Sequence, residues 1–363
     1  MKVIDRYILK EFLRIFLMSM ITLLMFYEMV VFLDMVGYFV KFGATTDMVA
    51  RYMIFRIPMG VFHVTPICVL LAALLSIGSM SRHSELTALK AAGLSLLRIS
   101  APVLLASLAI CALSFLDSEY LFHISARESN RIYYDEIKKQ PRKGLFANDR
   151  IWYKADDGSI WNIGHFDPNE KELKDISIFV FNDKGDKLAA RIFASRGKMT
   201  NGAWELESYV ETRFGEKGAF EEKFEERHII PAGAISYEEL SQAQLDPEEM
   251  NLAQIKEYIK DVRQNGYDDT KYTADMHAKV AFPLISLVMP LLATPLAVRS
   301  SRAGGALVGI GVAVVTGALF WFTFSMGVAF GQAGKLPPLV SVYGAHIVFA
   351  LAGVWMFLKQ ERV

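Results

Sequence analysis

The sequence predicts a polytopic α-helical membrane protein with six transmembrane helices, three on either side of an inserted all-β sandwich or jelly-roll domain. Three observations predict it: six apolar segments long enough to cross a bilayer, one central stretch with strand-like alternation, and an uneven distribution of Lys and Arg between the loops.

The chain has 363 residues, is 53% hydrophobic and has a mean hydropathy of +0.27. It is too apolar for an ordinary soluble protein and too charged for a bundle of spans alone. A formal net charge of zero hides two opposed parts. Residues 118–277 carry 23 Lys+Arg against 31 Asp+Glu, and the remainder carries the opposite excess of eight. Basic loops around a membrane part and an acidic soluble insert account for that division. Cys68 and Cys111 both fall in apolar runs, so the insert has no disulfide framework.

A spanning helix needs about 20 apolar residues, because hydrocarbon offers its backbone no hydrogen-bond partners. The first candidate, Ile15–Leu33, holds one charge, Glu28; its length and the lack of a small-residue cleavage pattern make it a span rather than a cleaved leader. Ile57–Ser81 is free of charge. Ile99–Leu116 is short and is expected to continue outward as a helix. Val280–Val298 contains Pro283, Pro290 and Pro295. Ala303–Gly334 is long enough to tilt, and Leu336–Leu358 is interrupted only by His346. Eleven Lys and Arg flank one side of these spans and four the other, which places both termini in the cytoplasm and the insert outside.

Within the insert, strands are expected at Ile151–Lys154, Ser159–Phe166, Ile176–Asn182, Lys187–Ala194, Ala203–Phe214 and Lys223–Ile230. Turn residues separate them: Asp156–Gly158, Asp183–Asp186, Asn201-Gly202 and Gly215–Gly218. The inner face of such a sandwich serves as a core or, if open, as a cradle for acyl chains. After Pro247, Leu252, Ile255, Ile259 and Val262 share one helical face, with Asn251 as cap and Gly266 as terminator.

No phosphate loop, HExxH, GxSxG or metal-spaced cysteine pair is present, so catalysis by this chain and a resident cofactor are not expected. His63 and His346, lone histidines on apolar spans, read as helix-contact residues. The loop between the second and third spans is more informative. Glu85–Ala92 reads as a short helix with Ser84 as cap, Glu85 at its positive end, Lys90 near its negative end and Gly93 as terminator. It is either an interfacial turn or a rigid lever that receives motion from a separate ATPase.

With Ile4-Asp5-Arg6-Tyr7, Ser84-Glu85-Leu86 through Ala91-Ala92-Gly93, Ile176–Asn182 and the Tyr272–Pro283 approach to the fourth span, the chain resembles the LptF/LptG permease family over essentially its whole length. That family supplies the membrane subunits of the lipopolysaccharide-export ATP-binding cassette transporter. Asp5-Arg6-Tyr7 and Asp246-Pro247 resemble the LptG branch more than LptF.

The resemblance implies residues 1–118 as spans one to three with a coupling helix, 119–272 as a periplasmic jelly roll with flanking helices, and 273–363 as spans four to six. It implies ATPase coupling through Arg82, Glu85, Leu86, Leu89 and Lys90, and lipopolysaccharide phosphate binding at Lys41, Arg127 and Arg131. A further family lysine inside the first helix is replaced here by the apolar run Met29–Leu33. Glu28 and Asp34 are expected to face the cavity, a neighbouring helix or a partner helix, since a carboxylate near the bilayer centre costs roughly 2.5–3.5 kcal/mol. Implied partners are a homologous LptF-like subunit, a cytoplasmic ATPase dimer, a bitopic LptC-like protein, a soluble bridge protein and lipopolysaccharide, with no nucleic acid, all at a bacterial inner membrane. Competing readings are a permease for another amphiphile, a non-transporting receptor or scaffold, and, less well supported, an intramembrane enzyme.

Overall fold

The computed structural model describes residues 3–139, 144–147, 150–155, 157–167, 171–182, 187–200, 203–214, 220–231, 247–264, 268–301 and 305–361. The chain divides into two compact units, one of Met1–Ile132 with Pro247–Val363 and one of Tyr133–Asp246.

The first unit is helical. It contains α1 (Val3–Lys41), α2 (Thr46–Arg82), α3 (Glu85–Ala91), α4 (Leu96–Asp117), α5 (His123–Arg131), α6 (Leu252–Gln264), α7 (Thr270–Ser301), α8 (Gly305–Gln332) and α9 (Pro338–Glu361). Six helical segments are long and apolar enough to cross a membrane, and in chain order three precede and three follow the strands. The expected helical continuation of the third is present. Wider π-helical turns at Ser118–Phe122 and Ile132–Ile137 carry α4 and α5 on as one helical segment to Ile137.

Local sequence explains the boundaries. Thr45 and Ser95 cap α2 and α4 by accepting the backbone N–H of Met48 (3.4 Å) and Arg98 (3.2 Å). Pro338 occupies the first position of α9, where its missing N–H costs nothing. Asn251 caps α6 as expected: its side chain accepts from Gln254 N–H at 2.9 Å while Gln254 returns a bond to Asn251 N–H at 2.9 Å. Ile255, Ile259 and Val262 are buried along α6, with Leu252 partly so. The expected terminator Gly266 lies outside the described residues.

At the centre of this unit, α2 and α7 bury most of their apolar segments and share a core with Phe62, Leu70, Ile77, Phe282, Ile285 and Met289. Small residues permit close approach. An added Cβ at Gly353 of α9 would meet the Leu291 backbone of α7 at 3.0 Å. Both lone histidines are helix contacts. His346 on α9 lies 2.9 Å from the Ala281 carbonyl of α7, and His63 sits among Phe62, Phe122 and Phe282. By contrast, α1 and α8 leave broad apolar faces uncovered, including Leu17, Ile21, Met25, Val315, Leu319 and Phe322.

The second unit is an antiparallel sheet of seven strands in sequential order: β1 (Gly144–Ala147), β2 (Arg150–Lys154), β3 (Ile160–Asp167), β4 (Glu172–Phe181), β5 (Leu188–Thr200), β6 (Ala203–Phe214) and β7 (Phe220–Pro231). Six of these match the sequence expectation, β6 at both ends; β4, β5 and β7 are longer, and β1 was not foreseen. Of the expected turns, Gly158 adopts a φ of +83°, where a side chain is disfavoured, and the other three lie outside the described residues.

A crease crosses this sheet. Buried positions change parity at one level in four neighbouring strands, from Ile163 to Phe166, Leu173 to Ile176, Ala194 to Gly197, and Leu206 to Tyr209. Strand register continues unbroken through it. Asp175 and Ser208 take positive φ values of 52° and 54° there. The local change in backbone hand lets one side of the sheet stay apolar over strands too long to do so by strict alternation. Trp161, Trp204, Tyr153 and Phe166 fill the resulting core.

Candidate functional site

The short helix α3 forms where the sequence placed it, but its start differs. Ser84 holds a left-handed φ of +61° and makes no side-chain capping bond, so the expected hydroxyl cap is not formed. A residue in that conformation cannot aim its oxygen at the following N–H groups. The other end is as expected. Gly93 at φ +83° donates to the Lys90 carbonyl (2.9 Å) and Leu94 to the Leu89 carbonyl (3.1 Å), the paired bonds of a Schellman stop.

Two side chains root α3 in the helical unit. Leu86 is buried, and Leu89 packs against the same core. Two polar contacts tie it to distant elements. Tyr7 of α1 donates to Glu85 at 3.4 Å, and Lys90 donates to the Gln360 carbonyl of α9 at 3.3 Å. Gln360 in turn donates to the Pro295 carbonyl of α7 at 2.7 Å. Arg82 is exposed at the end of α2. Nearby, Arg98 of α4 grips Asp5 of α1 through two bonds. The short helix is thus tied to α1, α2 and α9, with Arg82, Thr87 and Ala88 left outward.

Glu28 lies against α2. Both carboxylate oxygens are shielded and have no hydrogen-bond partner among the described residues. Its seat is Gly60, where an added Cβ would come within 2.8 Å of Glu28 Oε1 and 2.7 Å of Leu24 Cδ1. Arg56 of α2 is the cation whose field reaches it, and Arg56 bonds Tyr52 at 3.3 Å. Tyr27 beside it meets His63 Nδ1 at 3.4 Å. Sequence reading counted Arg56 only as a loop charge. The signal available was Glu28 itself, since a carboxylate in an apolar span needs a partner. Asp34 is exposed on α1.

The three expected phosphate ligands are placed differently from one another. Lys41 is exposed, with its ammonium 5.5 Å from the Phe42 ring centre. Arg131 pairs with Glu128 of its own helix at 2.8 Å. Arg127 donates to the Glu249 carbonyl at 3.2 Å.

Arg127 thereby joins a network that sequence reading missed. Asn130 donates to the Glu249 carboxylate at 2.6 Å, Glu119 accepts the Leu252 N–H at 3.0 Å, and Lys279 of α7 donates to the Met250 carbonyl. These bonds fix residues 249–252 at the start of α6 to α5 and α7. Apart from Lys279 and Met250, 29 residues apart, these partners lie more than a hundred residues from one another and leave no local pattern to read.

Among the described residues no group of three His, Cys, Asp or Glu side chains could hold a metal ion. Cys68 and Cys111 are free and buried.

Comparison with known proteins adds sequence-wide evidence. A family model described as lipopolysaccharide export system permease LptF/LptG matches residues 6–359. The chain is 24% identical over 381 residues to the lipopolysaccharide export system permease protein LptG of Escherichia coli strain K12, covering 99% of each chain. It is 22% identical over 370 residues to the protein of the same name from Haemophilus influenzae, again covering 99% of each. An uncharacterized protein of Aquifex aeolicus is 24% identical over 369 residues at the same coverage.

Proposed function

The chain belongs to the LptF/LptG family of lipopolysaccharide export permeases, and from that premise we propose how its parts serve export. It is a permease subunit of the lipopolysaccharide export system, a transport subunit of an inner membrane rather than an enzyme, and ATP hydrolysis belongs to a separate subunit.

In our reading the six apolar helices cross the membrane three and three, with both termini and α3 in the cytoplasm. Segment 119–272 then lies in the periplasm, between membrane segments 1–118 and 273–363. The seven-stranded sheet closes over its buried face as a sandwich of jelly-roll type, and its interior forms part of the lipid path. The subunit pairs with an LptF-like homologue, sits on an ATPase dimer, and works with a bitopic LptC-like protein and a soluble bridge. It takes lipopolysaccharide from the outer leaflet of the inner membrane and passes it to that bridge.

The observation that carries this reading is the contrast between helices. The first, fifth and sixth spans, α1, α8 and α9, leave large apolar faces uncovered, whereas α2 and α7 are enclosed. Uncovered apolar faces of that size belong against lipid, cargo or a second subunit. Coupling is assigned to Arg82, Glu85, Leu86, Leu89 and Lys90, of which Leu86 and Leu89 root the helix, Glu85 and Lys90 link it to α1 and α9, and Arg82 faces outward. Lys41, Arg127 and Arg131 are assigned to phosphate at the cavity mouth, and Glu28 and Asp34 to cavity or partner-helix contact.

Purification of the full chain from its native membrane in mild detergent, with mass spectrometry of co-eluting chains and lipids, tests the proposal. A homologous permease, a cytoplasmic ATPase and lipopolysaccharide should co-elute. Recovery of a single chain bound to a periplasmic ligand, with no ATPase, would favour a receptor or scaffold instead.

A further inference from the structure

The groove between α1 and α4 has a shape and charge pattern that the export mechanism does not use. The two helices are joined by the Asp5–Arg98 pair, and that pair lies at the edge of a groove of about 430 Å³ lined by both. Apart from that pair its walls are apolar, with Leu9 and Leu13 on α1 facing Leu105, Ala109 and Leu113 on α4. From Arg98 to Leu113 is 15 residues of helix, about 22 Å, longer than the ~15 Å hydrocarbon depth of one leaflet.

Its rim is basic. Arg6, Lys10 and Arg14 recur every fourth residue of α1, and all three are exposed. At about 100° per residue, Arg6 and Lys10 lie roughly 20° and 60° farther round the helix than Leu13, on the side away from the buried Ile8 and Phe12. Among the described residues none of the three has an ion-pair partner, whereas Arg98 is already neutralised by Asp5. Long basic side chains on such a face bend toward the headgroup level, and basic pockets between membrane helices select anionic headgroups.

We propose that the α1–α4 groove holds one acyl chain of an anionic phospholipid whose phosphate is bound by Arg6 and Lys10. The leaflet, cytoplasmic, rests on the orientation proposed above; the binding itself does not. Such a lipid would brace α1 at the end where Tyr7 meets Glu85 of α3.

Native mass spectrometry of the full chain, titrated with dioleoylphosphatidylglycerol or dioleoylphosphatidylcholine, tests this. The glycerol lipid should be retained preferentially. Each of Arg6→Gln and Lys10→Gln should weaken its retention about fivefold, the equivalent of the ~1 kcal/mol that a basic residue contributes near an anionic surface. Ala109→Trp, at an exposed groove position, should abolish retention by filling the groove while leaving every charge in place.

Equal retention of the two lipids, or undiminished phosphatidylglycerol on Ala109→Trp, would overturn the proposal. So would a photo-crosslinker at position 109 that captures a protein chain instead of lipid. None of these readouts involves an ATPase or lipopolysaccharide, so this site and the export reading fail separately.

Discussion

Asp5 and Arg98 meet through two parallel contacts, Nη1 to Oδ1 at 2.9 Å and Nη2 to Oδ2 at 3.0 Å, joining the first turn of α1 to the first turn of α4. A guanidinium fork fits a carboxylate in this geometry and an ammonium cannot reproduce it. Arg98→Lys should therefore insert normally yet slow lipopolysaccharide transport several-fold, because α1 loses its fixed angle beside α3. The reciprocal exchange, Asp5→Arg with Arg98→Asp, should recover part of the rate in a reconstituted transport assay. Full transport by Arg98→Lys would reduce the pair to a surface contact.

Glu85→Lys places a cation at the positive N-terminal end of α3 and removes the acceptor of the Tyr7 hydroxyl. The variant should insert and fold, with ATP hydrolysis retained and transport lost. Parallel measurement of phosphate release and lipopolysaccharide release in proteoliposomes separates coupling from assembly. Loss of both would point to failed docking, and normal values of both would remove Glu85 from the lever.

Gly60 is a seat for α1. Leucine there would drive Leu24 and Glu28 off α2 and should cost about 1–3 kcal/mol, the usual range for overpacking. Thermal denaturation in detergent should show a lowered midpoint for Gly60→Leu. Gly78→Ala, where an added Cβ meets nothing within 4 Å, should leave it unchanged or raise it.

In the sheet, Arg213 beside Glu211 at 2.6 Å, assisted by the Tyr209 hydroxyl at 3.0 Å, holds the Glu211 carboxyl below its ordinary value despite burial. Burial, reinforced by Glu211, pushes the Tyr209 phenol above its ordinary value. A depressed carboxyl stabilises the fold above its unfolded value of 4.5, and that contribution is lost as pH falls through the lower folded value. The sheet should therefore lose stability below about pH 4.5. Glu211→Gln should flatten that slope in tryptophan-fluorescence melts between about pH 3 and about pH 7.

Lys41→Glu should weaken lipopolysaccharide crosslinking without altering the melting temperature, because Lys41 is exposed and, among the described residues, carries no structural bond beyond its ring contact. Arg127→Glu should lower both, since it also releases the Glu249 carbonyl. Unchanged crosslinking in Lys41→Glu, Arg127→Glu and Arg131→Glu alike would end the phosphate assignment.

The membrane helices were legible because hydrocarbon permits few solutions. An uncharged run such as Ile57–Ser81 had to be helical, and α2 contains it whole. Likewise β6 runs from Ala203 to Phe214 as its alternating residues require, and Asn251 and Gln254 formed the reciprocal cap their spacing encodes. What could not be read depends on distant chain. Ser84 takes a left-handed backbone and makes no side-chain cap, where local propensity favoured a hydroxyl cap. Arg127 looked free for phosphate because its acceptor, Glu249, lies 122 residues away. Glu28 stood out as a carboxylate in an apolar span, yet its seat on Gly60 and its cation Arg56 depend on helix rotation. The crease in the sheet was present in the sequence as Trp161, Ile163 and then Phe166, a break in alternation whose meaning appears only when three neighbouring strands share it.

The most direct test of the central claim, that α3 is the lever of an ATP-driven lipopolysaccharide permease, is site-specific photo-crosslinking from its outward residue Ala88 in intact cells. The account predicts an adduct with a cytoplasmic ATPase that disappears when that ATPase is depleted. Labelling of position 88 by a membrane-impermeant reagent from the periplasmic side, with no ATPase adduct, would contradict it.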